Sequence, residues 1–341
     1  MNKKHINIPV FIPHLGCPNQ CVFCNQKTIS GVMEFDPSQV DRIITEALST
    51  IDISSSDVEI AFFGGSFTGI DYSLMCELLS IAYSYVKKGS VSSIRLSTRP
   101  DYIDDRILNT LKKYGVKTVE LGLQSVSEKV LQTCKRGHTA LDAEKACRLI
   151  REYGFELVGQ MMIGLPGSSL EDEMNTAEFI LRNGASGARI YPTVVLQQTE
   201  LKDMCLSGIY TPLAVEDAIM RSKEVARFFI KNNIDIIRVG LCASENLHSE
   251  ETYFAGPNHS ALGELVYGEV YYDLILEELK FLTEDDVKGK RLNIEVPFGA
   301  KSKAIGQKRK NILRLQELYG FSLVNVEENE CLSAYEIKIH F

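Results

Sequence analysis

Cys17-Pro18-Asn19-Gln20-Cys21-Val22-Phe23-Cys24 is the stretch on which the reading of this chain turns. Three thiols in a C-x3-C-x2-C spacing on one short loop can converge on three irons of a four-iron cluster, because thiolates are the usual protein ligands of such clusters. The fourth iron is then open to a small molecule. The competing reading is a structural zinc site completed by His14. Zinc sites usually pair one C-x2-C with a second such pair, and this chain has no second pair. Cys76, Cys134, Cys147, Cys205, Cys242 and Cys331 stand singly, most of them in apolar or helical stretches. They read as small buried hydrophobes.

The residues around the loop alternate between strand and helix patterns. Ile6 to Ile12 is an apolar run that suits a buried strand ending at the cysteines. Asp36-Pro37 reads as an N-cap with proline at the first helical position, followed by the helical spacing of Val40, Ile43, Ile44 and Leu48. Val58 to Phe63 is the second strand and runs into Gly64-Gly65-Ser66-Phe67, where two glycines either make a tight turn or let backbone approach a ligand. A helix near Leu74 to Tyr85, a third strand at Ser93 to Ser97, and a helix closed by Gly115 follow. The fourth strand, Lys117 to Leu123, carries Glu120 and ends at Gln124; the polar ends of both need partners if buried, in the core or on a ligand. A helix from Leu141 to Tyr153, the strand Glu156 to Ile163, a helix capped by Ser168 and Glu171, and a sixth strand at Gly187 to Val195 complete the pattern.

Such alternation predicts a parallel sheet with right-handed crossovers, an α/β fold of the partial (β/α)6 TIM-barrel type. Every candidate motif then falls at the C-terminal ends of the strands, where such barrels keep their chemistry. Accidents of local structure would not all collect on one rim.

Bulk properties set limits. A hydrophobic share of 45% and a charged share of 24% suit an ordinary globular protein, and no apolar run is long enough for a bilayer. The start of the chain does not read as a signal peptide, and unpaired cysteines suit a reducing compartment, so a cytoplasmic location without membrane contact is expected. The net charge of -8 hides an asymmetry: residues 288–314 hold nine basic residues against Glu295 alone, a charge of +8 on an otherwise acidic chain. Such a segment marks either a nucleic-acid face or a solvated surface.

The cysteine spacing, with Phe23 before the last cysteine, resembles the signature of the radical S-adenosylmethionine (SAM) superfamily. Thr98-Arg99-Pro100-Asp101-Tyr102, Glu120 to Ser125, Arg136-Gly137-His138-Thr139, Met161 to Gly167 and Ile190-Tyr191-Pro192-Thr193, taken with the glycine turn, resemble the radical SAM domain of the Elongator catalytic subunit. The likeness spans roughly residues 6 to 212. It implies a 4Fe-4S cluster on Cys17, Cys21 and Cys24, SAM as cofactor, an electron donor such as a flavodoxin or ferredoxin, and tRNA as substrate. It implies that Gly64, Gly65 and Ser66 hold the SAM amino group. Ser66 stands where the family often has Glu, so that contact falls on backbone carbonyls. Thr98, Glu120, Gln124, Arg136 and Met162 are implied for the rest of SAM, the apolar strand with Met162 suiting adenine, and Tyr191 is the candidate catalytic residue. Two departures stand out: the Elongator subunit has a longer gap between its first two cluster cysteines, and nothing after Thr211 resembles its acetyltransferase domain.

The last third divides into an extension over 213–287 that completes the core and a small basic α+β module over 288–341, with the radical domain at 1–212. In the extension, a long amphipathic pattern over Val215 to Lys231 leads to an apolar strand at Ile234 to Val239, Gly240 to Phe254 reads as polar and irregular, and a helix opened by Gly256-Pro257-Asn258-His259 runs through Leu279. In the module, Ile305-Gly306-Gln307-Lys308-Arg309-Lys310 between two helices resembles a KH module, whose Ile-Gly-x-x-Gly loop clamps nucleotides. Arg309 replaces the second glycine. The resemblance implies RNA contacts by Lys303, Gly306, Lys308, Arg309 and Lys310; a packing lid is the alternative. Three functions therefore compete: a radical SAM enzyme acting on tRNA, one acting on a metabolite or protein, and an iron–sulfur protein that binds RNA without catalysis.

Overall fold

β1 (Lys4–Phe11), β2 (Ser56–Phe63), β3 (Ser93–Thr98), β4 (Val116–Gln124), β5 (Glu156–Ile163) and β6 (Gly187–Pro192) lie side by side in chain order in the computed structural model, which describes residues 4–12, 15–17, 21–25, 35–241, 249 and 251–341, with Glu284 by its backbone alone. Each neighbouring pair is parallel, as helical crossovers require. After β6 the chain makes a short β7 (Val195–Leu196) and two helices, Glu200–Leu206 and Val215–Lys231. It then returns as β8 (Asp235–Val239), parallel to β6. The sheet therefore has seven strands, one more than the expected six, because residues 235–239 pair with the barrel edge.

The expected sixth strand splits. Pro192 removes a ladder donor at the end of β6, and β7 turns away to pair antiparallel with β9 (Tyr253–Ala255), inside a segment expected to be irregular. One apolar core runs from Ile8 through Phe62, Leu96, Leu121 and Ile190 to Val270. Inward strand residues meet helices that show apolar faces: the helix Val40–Ser49 buries Val40 and Ile44, and Tyr72–Lys87 buries Met75, Leu78 and Leu79. Caps sit where side chains can reach free N–H groups. Asp36 accepts from Ser38, and the box on the helix Leu170–Arg182 is Ser169 with Asp172, one residue beyond the expected Ser168 and Glu171.

A second core holds the last part of the chain. The helix Leu262–Leu279 starts later than Gly256 and gives Tyr271, Tyr272, Ile275 and Leu279 to this core, while its first half packs on the barrel. β10 (Arg291–Val296) lies between β11 (Leu323–Glu328), parallel to it, and β12 (Lys338–His340), antiparallel. The helices Lys301–Ile305 and Lys310–Tyr319 are joined through Gly306 (φ 75°), Lys308 (φ 52°) and Arg309 (φ 63°). Of the single cysteines, Cys134 and Cys147 are buried as expected, Cys76 and Cys205 are half-buried, and Cys331 is exposed because it lies in the loop after β11. Cys242 and His14 fall outside the described residues.

Candidate functional site

The cysteine loop is tied to the rim by close backbone packing. Beyond β1, Ile12 N–H donates to the Phe63 carbonyl at 2.7 Å, which sets the loop beside the end of β2. Gly16 then lies against the turn that follows β2: a Cβ on it would stand 1.8 Å from the Ser66 carbonyl oxygen, and one on Gly69 would stand 2.3 Å from the Gly16 oxygen. Only glycine fits at either position. Val22 N–H donates to the Cys134 carbonyl at 3.2 Å, and Leu201 N–H to the Val22 carbonyl at 2.8 Å, so the loop is also held from the far side.

Cys17, Cys21 and Cys24 line one pocket of about 440 Å³ at the C-terminal ends of the strands. Gly64, Gly65, Thr98, Glu120, Gln124, Arg136, Met162 and Tyr191 line it too, so most expected site residues share one chamber. Ser66 is the exception. It is buried beneath the turn, and its Oγ lies 2.9 Å from Thr98 Oγ1. Gly64 has φ 98°, a conformation that side chains disfavour.

Two guanidiniums flank the buried Cys21. Arg136 places Nη1 3.3 Å from Cys21 Sγ and donates through Nη2 to the Gly122 carbonyl at 2.5 Å. Arg99 places Nη1 3.8 Å from the same sulfur and forks onto Asp101 at 2.9 and 2.8 Å. Burial pushes the Cys17 thiol above its ordinary pKa, against the pull of the Ser66 backbone and of Arg136 and Arg99. Burial also lifts Cys134 to about 12, which keeps it a thiol. His138, two residues from Arg136, is pushed down to about 3 by burial and by the Arg136 charge, and neither ring nitrogen has a partner among the described residues.

The pocket floor is a buried ion network. Glu120, 0% exposed, accepts from Arg189 Nε and Nη2 at 2.7 and 2.9 Å, from Arg95 Nη1 at 3.0 Å and from Gln160 Nε2 at 2.8 Å. Burial alone would raise this carboxyl, but the bonds and charge of Arg189, with Gln160 and Arg95, hold it below the usual range. Arg95 also reaches Glu59 at 2.6 Å. Arg95, Gln160 and Arg189 have no role in the sequence reading, and Arg99 enters it only as part of a motif. The available signal was a charged or amide residue within apolar strands, as in Ser93-Ile-Arg-Leu and Gly187-Ala-Arg-Ile.

The basic module is less free than its composition suggests. Lys310 and Arg314 pair with Glu269 at 2.9 and 2.8 Å, and Lys303 lies over the Tyr267 ring. Lys308 and Arg309 are exposed.

Residues 11–180 match the family model described as the radical SAM superfamily, and residues 185–272 match one described as a radical SAM C-terminal domain. The chain belongs to the radical SAM superfamily. Its relatives within that superfamily include the tRNA uridine(34) acetyltransferase of Methanocaldococcus jannaschii, 28% identical over 60% of this chain and 45% of that protein. Elongator complex protein 3 of Mus musculus is 31% identical over 54% of this chain and 38% of that protein. The chain spans about half the length of the archaeal acetyltransferases that it matches, and less of the Elongator proteins. Among solved structures, archaeal Methanocaldococcus infernus Elp3 with an N-terminus deletion superposes with a TM-score of 0.62 at 22% identity, covering 82% of this chain and 64% of that one. That likeness places the radical SAM barrel. Among the described residues, no three His, Cys, Asp or Glu side chains sit close enough to share a single ion, and no helix is long and apolar enough to cross a membrane.

Proposed function

We propose that this radical SAM protein is an enzyme that modifies tRNA. The observation that carries the reading is the meeting of three cysteines, the Gly64-Gly65 backbone, Gln124 and Arg136 in one pocket. The polar atoms there fit a cofactor: Gln124 Oε1 and Arg136 Nε are buried without partners among the described residues, and such atoms call for a ligand or water. Cys17, Cys21 and Cys24 would each hold one iron of a 4Fe-4S cluster. Gly64 and Gly65 would offer backbone to the SAM amino group. Thr98, Gln124 and Arg136 would take its polar groups, and Met162 would border its adenine.

When bound, the cluster and SAM would together supply reductive radical chemistry, with the electron drawn from a donor such as a flavodoxin or ferredoxin. This chain's residues do the rest. Arg136 and Arg99 offset thiolate charge beside Cys21, the glycine turn fixes the loop, and Glu120 orders Arg189 and Gln160 on the floor. Tyr191 faces the chamber as the candidate catalytic side chain. In this reading residues 1–212 form the radical domain, 213–287 complete it, and 288–341 bring the tRNA, chiefly through the exposed Lys308 and Arg309 beside Gly306.

The tRNA relatives and the basic module support the substrate. A small metabolite or a protein is the second reading, favoured by the net charge of -8, which opposes a polyanion over most of the surface. Nucleoside digestion and mass spectrometry of tRNA incubated anaerobically with reduced, reconstituted protein and SAM tests the proposal. A SAM-dependent mass change on one nucleoside is expected; unchanged nucleosides while SAM is consumed would move the substrate to the second reading.

A further inference from the structure

Arg189 on β6 and Arg238 on β8 are register partners on adjacent strands, and both line the pocket. Their electrostatic situations differ. Arg189 forks onto Glu120, whose two oxygens together accept the four bonds from Arg189, Arg95 and Gln160 described above. A carboxylate offers about four acceptor positions, so Glu120 has none left. Glu59, the other buried carboxylate of the floor, is taken by Arg95 and Ser93. Glu59 also lies on β2, far from β8 in the strand order, and no bond from either carboxylate to Arg238 is found among the described residues.

Arg238 is half-buried, and no ion pair or hydrogen bond to it is found among the described residues. A partly desolvated charge is costly without a counter-ion, and here an occupant of the pocket can bring one. The flat guanidinium fork matches two oxygens of one anionic group, carboxylate or phosphate, better than any neutral group. Asn7, on the opposite edge strand and also on the pocket wall, has its Oδ1 buried without a donor among the described residues. The occupant is thus matched by an anion at one edge and a hydrogen-bond donor at the other.

We propose that Arg238 receives a carboxylate or phosphate of the substrate at the β8 edge of the pocket. This rests on the proposed function only in taking the pocket as the substrate's chamber. Binding by the reconstituted protein tests it, with two probe pairs: uridine 5'-monophosphate against uridine, and acetate against acetamide. SAM affinity is measured alongside, and melting curves check that Arg238→Gln and Arg238→Lys fold.

At least one anionic probe is expected to bind more tightly than its neutral partner, and Arg238→Gln to cut that preference by about tenfold or more. Arg238→Lys keeps the charge without the fork and should fall between; it carries the test if the Gln variant does not fold. SAM affinity should stay unchanged. A preference for the monophosphate identifies a phosphate, and one for acetate identifies a carboxylate. No preference in the wild type, a preference that survives both variants, or a parallel loss of SAM affinity, which would assign Arg238 to the SAM carboxylate, overturns the proposal. The readout is binding without turnover, so a protein that never cleaves SAM would contradict the proposed function and leave this inference standing.

Discussion

Arg136 Nη1 lies 3.3 Å from Cys21 Sγ while the other arm of the same guanidinium donates to the Gly122 carbonyl on β4. One side chain therefore couples the cysteine loop to the barrel wall. Both partners are buried, so removing the fork leaves a carbonyl unsatisfied and a sulfur without its nearest cation. Arg136→Met is expected to cost about 1–3 kcal/mol in stability and to lower the iron retained per chain after anaerobic reconstitution. Arg136→Lys should retain more iron than the Met variant but less than wild type. Equal iron in all three, by colorimetric assay, would contradict this role.

Gly16 positions Cys17 by direct contact with the turn after β2. Its missing Cβ matters because the Ser66 carbonyl occupies that space. Gly16→Ala should displace the loop while leaving the barrel folded, since the loop contributes little to the main core. The expected result is a normal far-UV circular dichroism spectrum with cluster absorbance reduced severalfold. Wild-type absorbance would refute the packing argument.

His138 gives a pH signature. Its pKa is depressed from an ordinary 6.5 to about 3, so the folded state holds it neutral where the unfolded chain would protonate it. The stability it contributes is fully present above pH 6.5 and is lost as pH falls toward 3. Linkage puts that loss at about 2 kcal/mol between pH 7 and pH 5. His138→Leu removes the titration without leaving a buried donor unpaired. Denaturant midpoints of the variant should therefore fall less steeply with acid than those of wild type. Parallel slopes would show that another group carries the acid sensitivity.

Lys308 and Arg309 sit in consecutive left-handed conformations between two helices, which turns both side chains outward. If they meet phosphates, Lys308→Ala with Arg309→Ala should weaken tRNA binding. The slope of log affinity against log salt should then fall in magnitude by roughly 1.4 to 1.8. An unchanged slope in filter-binding titrations would assign this segment to packing. Lys310→Ala is a useful contrast, because Lys310 already pairs with Glu269.

Much of this architecture was legible in the chain. The apolar runs at Ile6–Ile12 and Glu156–Ile163 are local signals, and the motifs after them fall on one rim because a parallel sheet aligns its strand ends. The cysteine triad and the glycine turn line one pocket, as loops that follow neighbouring parallel strands do. The strand at Ile234 to Val239 was legible as an apolar run, but its place beside β6 was not, because two helices separate the two strands in the chain. β7 and β9 span two and three residues and carry no periodic signal at all. The cap shifted by one residue because Ser168 and Ser169 are equally good caps in sequence, and only Ser169 reaches the Asp172 N–H. The floor network was hidden for a different reason. Arg95, Glu120 and Arg189 lie on three strands, 25 and 69 residues apart, and their pairing is a property of strand order rather than of any local pattern.

The most direct test of the central claim is 5'-deoxyadenosine release by anaerobically reconstituted, reduced protein, measured with and without tRNA from the source cells. Release stimulated by tRNA and abolished by Cys21→Ala is the predicted result. Release indifferent to tRNA, or a protein that holds its cluster and never cleaves SAM, would contradict it.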